Sequence, residues 1–116
     1  MKISEIASIL KGEILCCAEN ADNEVHSACG SDMMSDVLAY VKNQAVLLTG
    51  LVNPQVIRTA DMMDMLCVVF VRSKKPTPEM IRLASDMGIV VMTSDMRMYE
   101  ACGLLYSNGL NGDANG

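Results

Sequence analysis

Tryptophan is missing from this 116-residue sequence, and phenylalanine and histidine occur once each. A core without large aromatic rings must be filled by aliphatic and sulfur-bearing side chains, and eleven methionines make it soft, polarizable and able to repack. The single histidine, His26, has no acidic partner in a recognised motif, which leaves general acid–base chemistry without its usual agent. It reads as a strand-face residue. Long hydrophobic runs are missing too: Met65–Val71 and Gly88–Met92 fall far short of the roughly 20 residues that cross a bilayer. The opening Met1-Lys2-Ile3-Ser4-Glu5 brings an acidic residue where a secretory leader has its apolar block, so the expected location is the cytoplasm, with no membrane partner.

Basic charge is scarce. Nine Lys and Arg against fourteen Asp and Glu give a net charge of -5, which repels phosphate backbones, and no nucleic-acid partner is expected. The strings G-x-x-x-x-G-K-S/T, G-x-G-x-x-G and G-x-S-x-G are all absent, which removes support for dedicated nucleotide hydrolysis, hydride transfer or a serine nucleophile. No catalytic residue is assigned, and the chain is not expected to be an enzyme. Cys16, Cys17, Cys29, Cys67 and Cys102 are odd in number and lack C-x-x-C spacing, so neither a disulfide framework nor a zinc ribbon is indicated. Cys16 and Cys17 are adjacent on a strand and point to opposite faces, and the spacing of iron–sulfur ligands is absent. Neither a metal nor a cofactor is expected.

What is present is an apolar content of 51%, enough for the core of one domain. Ile3, Ile6, Ala7 and Leu10 mark a helix over about 4–11, with Gly12 placed for a left-handed cap. A short strand follows at Glu13–Cys16, then a polar loop and a half-buried strand at Val25–Cys29. Ser31 and Asp32 are good N-caps for a helix that carries Met33, Val37, Tyr40 and Val41 and runs to about Lys42. Three strand-then-helix units complete the chain. Strands at Ala45–Thr49, Leu66–Val71 and Ile89–Thr93 lead to helices opened by Asn53-Pro54, by Thr77-Pro78 and by Ser94 or Asp95, and Gly88 closes the second of these helices. Strands apolar throughout, alternating with helices, indicate a mainly parallel sheet of about 4–5 strands flanked by helices, in a single α/β domain. Residues 109–116 are too poor in apolar groups to offset ordering entropy and are expected to form a disordered tail.

The segments Ser31-Asp32-Met33-Met34-Ser35-Asp36-Val37-Leu38-Ala39, Leu47-Leu48-Thr49-Gly50-Leu51, Asn53-Pro54, Val69-Phe70-Val71 with Pro76-Thr77-Pro78-Glu79, and Gly88-Ile89-Val90-Val91-Met92-Thr93-Ser94 together resemble the DRTGG domain family, from about Ile3 to Leu110. The resemblance implies a fold similar to the N-terminal domain of HPr kinase/phosphorylase and an accessory, regulatory role. It also implies a possible setting beside hydrogenase and iron–sulfur subunits. One departure stands out. Where the family pattern has a Thr-Gly-Gly turn, this sequence has Val71-Arg72-Ser73, which puts in doubt any ligand contact that depends on those glycines.

In an open parallel sheet, ligands bind outside the carboxyl ends of the strands, where loops feed helix N-termini. That rim is expected to collect Gly30, Ser31, Asp32, Thr49, Gly50, Asn53, Arg72, Ser73, Lys74, Thr93 and Ser94, with Lys75 beside them. Two readings stand. These residues bind a small anion or adenine nucleotide, or Ser31, Asn53, Thr77 and Ser94 are helix caps and the basic run is a solvated loop. Met33-Met34 and Met62-Met63-Met65 likewise serve either the core or an adaptable surface. The expected partners are a second copy in a homodimer, a small anionic ligand, and, as the rival to ligand sensing, a protein of a hydrogenase or iron–sulfur complex.

Overall fold

The computed structural model describes residues 1–40 and 44–110. Strands β1 (Glu13–Cys16), β2 (Ser27–Gly30), β3 (Ala45–Thr49), β4 (Cys67–Phe70) and β5 (Val90–Thr93) form one sheet in the order β1-β5-β4-β3-β2. From β2 to β5 every neighbouring pair is parallel, and β1 runs antiparallel to β5 at the edge. Helices α1 (Ile3–Leu10), α2 (Met34–Tyr40), α3 (Pro54–Met62), α4 (Pro78–Met87) and α5 (Met98–Ser107) cover both faces.

The continuous apolar runs follow from this arrangement, because a strand covered on both faces needs an apolar side chain at every position. Val46, Leu48, Val69, Val71, Val90 and Met92 face one way, toward Ile3, Ile6 and Leu10 of α1 and Ala101 and Leu105 of α5. Ala45, Leu47, Val68, Phe70 and Val91 face the other way, toward Val37, Val56, Ile57, Met80 and Ala84. A period of two along each strand thus builds two cores from one sheet.

Helix starts bear out the reading of caps at two of the three units. Asn53 Oδ1 accepts from the Gln55 N–H at 2.8 Å, and Thr77 Oγ1 accepts from the Met80 N–H at 3.2 Å, each ahead of a proline in the first turn. Gly88 closes α4 in the left-handed region, at φ 75°. Elsewhere local signals misplace the caps. The left-handed residue after α1 is Lys11 (φ 51°), not Gly12; glycine is needed at 12 because a Cβ there would press on Met92 Sδ and the Thr93 carbonyl. Helix α5 begins at Met98, later than a Ser94 or Asp95 cap allows, since both side chains have other partners. Strands β1 and β2, adjacent in sequence, take opposite edges of the sheet.

Helix α2 is described to Tyr40, so the expected extension to Lys42 lies outside the described residues. Leu110, placed in the tail by composition, is only 5% exposed and packs into the α1–α5 core, while residues 111–116 lie outside the described residues. Of the methionines set between core and surface, Met65 is buried, Met34 and Met63 are half-buried, and Met33 and Met62 are exposed. Among the described residues no helix is long and apolar enough to cross a membrane.

Candidate functional site

Parallel register brings the carboxyl ends of β2 to β5 to one rim: Gly30 lies beside Leu48, and Thr49, Phe70 and Thr93 stand in a row. The loops that leave these ends carry every candidate residue named from the sequence. What they do there divides them into three groups.

The first group converges on Asp32. Its Oδ1 accepts from the Gly50 N–H at 2.7 Å and from the Thr49 hydroxyl at 3.1 Å, and its Oδ2 accepts from two Arg72 nitrogens at 3.3 and 3.2 Å. Asp32 is therefore not the cap of α2. It ties the ends of β2, β3 and β4 together, while Ser31 Oγ makes the local turn by accepting from the Met33 N–H at 2.9 Å. The Gly50 N–H, foremost, with the Thr49 hydroxyl and the Arg72 guanidinium, holds the Asp32 carboxyl below the usual carboxylate range against the opposing pull of partial burial. Gly50 contributes a second way: a Cβ there would overlap the Arg72 guanidinium, which lies directly on its backbone.

Arg72 and Ser73, in the turn after β4, both occupy the left-handed region at φ 59°. Glycine adopts that conformation at least cost. An L-residue there costs about 1–2 kcal/mol, and the turn is held by the Arg72 N–H on the Met96 carbonyl at 2.7 Å and the Ser73 N–H on the Ser94 carbonyl at 3.1 Å. The strain thus sits where it aims a guanidinium across the rim. Ser73→Gly is expected to leave stability unchanged within about 1 kcal/mol, because relief of the left-handed penalty offsets the flexibility glycine adds to the unfolded chain. Ser73→Val, whose branched side chain tolerates positive φ worst, should lower stability by about 2 kcal/mol in urea unfolding.

The second group is consumed by structure. Ser94 is buried, donates to the Leu10 carbonyl at 2.7 Å and accepts from the Met96 N–H at 3.2 Å. Thr93 donates to the Lys74 carbonyl at 2.8 Å, and Asn53 caps α3. Gly30 is required by packing, since a Cβ would come within 2.6 Å of Cys102 Sγ. The third group lies in the open: Ser73 donates to Asp95 at 2.9 Å, and Lys75 borders a shallow depression shared with Lys11, Glu13, Thr93, Ser94 and Asp95. Its two lysines face two carboxylates, so it carries no net attraction for an anion.

The remaining nucleophile candidates lack activation. Burial, with Cys16 adjacent, pushes the Cys17 thiol up to about 11, and burial raises Cys29, Cys67 and Cys102 as well, so these thiols stay protonated at neutral pH. His26 is exposed and precedes β2, at the amino end of the sheet, away from the rim. An apolar cavity of about 130 Å³ between β2 and α5, lined by Gly30, Leu48, Cys102 and Tyr106 among others, offers no charged group.

The linkage sign for Asp32 follows from its depressed pKa. The stabilisation is fully present above the unfolded carboxyl pKa of about 3.9 and is lost as pH falls through the lower folded value. The half-exposed pair is screened, so the effect is small, at most about 1 kcal/mol. Asp32→Asn should destabilise the protein at pH 7 and converge with the native chain only as the pH falls below the depressed folded pKa of Asp32, as read from paired urea titrations.

The sequence matches the family model of the DRTGG domain over residues 5–107. The chain belongs to the DRTGG domain family. Among solved structures, it is similar to the CBS and DRTGG domains of the regulatory region of Clostridium perfringens pyrophosphatase, crystallised with the activator diadenosine tetraphosphate. The TM-score is 0.71 and the identity 14%, over 90% of this chain and 45% of that one. At that identity the likeness establishes the shared fold, and this DRTGG chain spans under half of the pyrophosphatase fragment. No curated protein sequence matches it.

Proposed function

We propose that this DRTGG chain is a non-catalytic regulatory domain that senses a small anion, of the adenine nucleotide class, at the carboxyl rim of its sheet. The observation that carries the reading is the convergence of the Gly50 N–H, the Thr49 hydroxyl and the Arg72 guanidinium on one point. A backbone N–H, a hydroxyl and a forked guanidinium are the donor set that phosphoryl oxygens take. Lys74, two residues after Arg72, adds cationic charge to the approach. The adenine preference draws on the clostridial regulatory region, which was crystallised with a dinucleotide activator. A non-catalytic role fits a rim with no oriented base and thiols held protonated by burial.

Titration calorimetry with AMP, ADP, ATP, diadenosine tetraphosphate and inorganic pyrophosphate tests the reading. Saturable binding of at least one of them, lost in Arg72→Ala and absent for adenosine, is the expected result. Silence from the whole set at millimolar concentration contradicts it.

A second reading rests on a different surface. Tyr99 and Tyr106, two turns apart on α5, are 92% and 66% exposed, an apolar strip of the kind that protein partners cover. The partner is a second copy, giving a homodimer, or a subunit of a hydrogenase or other iron–sulfur complex. Light scattering distinguishes the first: a dimer mass that falls to a monomer in Tyr106→Glu supports the homodimer, and a monomeric native chain removes it.

A further inference from the structure

The anion cradle at the rim is already filled, and by the chain itself. Four hydrogen bonds from β3, its following glycine and Arg72 all end on one carboxylate, that of Asp32, two on each oxygen. Resting on the anion-sensing reading above, we propose that Asp32 is a built-in competitor: its carboxylate occupies the position a ligand's phosphoryl group takes, and binding requires Asp32 to turn out.

Three features support this. First, the two donors on β3 are fixed and the acceptor is not. Thr49 and Gly50 are buried at the end of a central strand, whereas the Asp32 side chain is 42% exposed on a connecting loop, as open as its partner Arg72 at 41%. Second, the loop holds without the carboxylate. The Ser31 N–H donates to the Leu48 carbonyl at 3.0 Å and the Met33 N–H to Ser31 Oγ, so rotation of the Asp32 side chain breaks neither bond. Third, charge decides who can enter. With Asp32 in place the Arg72 charge is matched; with Asp32 turned out, the guanidinium is left without its carboxylate.

The competitor also selects its ligand. A tethered carboxylate presents itself at an effective concentration on the order of millimolar, so a free monocarboxylate cannot displace it at lower concentrations. A phosphoryl group, with a charge of about -1.5 to -2 and three acceptor oxygens, can satisfy the same donors and retain surplus attraction for Arg72 and Lys74. The class of ligand is therefore a phosphate ester or anhydride, and simple carboxylic acids are rejected. Turning out Asp32 removes the loop's side-chain ties to Thr49, Gly50 and Arg72, immediately before α2, while the Ser31 N–H stays on β3.

Inorganic pyrophosphate, titrated calorimetrically into folded native protein, Asp32→Ala and Asp32→Asn, tests the proposal. Removing the competitor should tighten binding about tenfold, and adding Arg72→Ala in the Asp32→Ala background should abolish the gain. Asp32→Asn keeps the side chain's size and is read if Asp32→Ala fails to fold. Native binding with no tightening in a folded Asp32 variant overturns the competitor and leaves the anion-sensing reading standing. Absence of binding in the native chain and in both variants overturns the two together.

Discussion

Phe70→Ala should lower the unfolding free energy by about 3–5 kcal/mol, against a total of about 5–15 kcal/mol for a domain of this kind. Phe70 is the one phenylalanine of the chain and is completely buried at the centre of the sheet, level with Thr49 and Thr93. Its ring packs among the α2–α3–α4 side chains, and among the described residues the buried cluster there holds no other aromatic ring to close over the cavity. The soft methionines nearby, Met65 and Met80, are the side chains able to creep into the space, and they set where in that range the loss falls. Urea unfolding followed by far-ultraviolet circular dichroism is the suitable measurement, because the chain has no tryptophan to report by fluorescence. A loss under about 1 kcal/mol would mean that this face of the sheet is not packed as described.

Gly50→Ala is the complementary case, with a modest effect on stability and a large one on the site. The added methyl group would overlap the Arg72 guanidinium, and that guanidinium is the far end of a flexible side chain, 41% exposed and free to swing into solvent. Relief by that movement holds the stability loss to about 1 kcal/mol, the value of a half-exposed ion pair and its hydrogen bonds. The geometry does not recover. With Arg72 displaced, the cradle keeps the Gly50 N–H and the Thr49 hydroxyl but loses its forked cation, and affinity for pyrophosphate should fall about tenfold or more. Affinity unchanged beside a normal melting curve would show that Arg72 does not contact the ligand.

These effects trace back to how the chain encodes its structure. The three apolar runs at Ala45–Thr49, Leu66–Val71 and Ile89–Thr93, and the Asn53-Pro54 and Thr77-Pro78 starts, could be read directly because both signals are local: every position in the runs except the half-buried Leu66 is buried, and each cap bonds within three residues. The rim could be read for the same reason, since parallel strands fix where their ends lie. Asp32 could not be read. The same side-chain chemistry serves as a helix cap or as an acceptor for distant donors, and its partners lie 17, 18 and 40 residues away. Lys11 took the left-handed cap expected at Gly12 because glycine was needed one residue later for close approach to β5. Arg72 and Ser73 show the reverse case, in which the backbone keeps a glycine conformation that their identities conceal. Three residues singled out as ligand contacts, Asn53, Thr93 and Ser94, also make the cap and loop hydrogen bonds that hold the others in place.

An amide-resolved NMR titration of the native protein with pyrophosphate asks most directly whether the carboxyl rim receives an anion. Progressive, saturable shifts centred on Asp32, Gly50 and Arg72, with the β1 edge and the α5 surface unmoved, are the result expected. Shifts confined to Lys2 and Lys11 at the two ends of α1 or to the tyrosine face of α5, with the Gly50 amide unchanged at saturation, would place the ligand elsewhere and contradict the account.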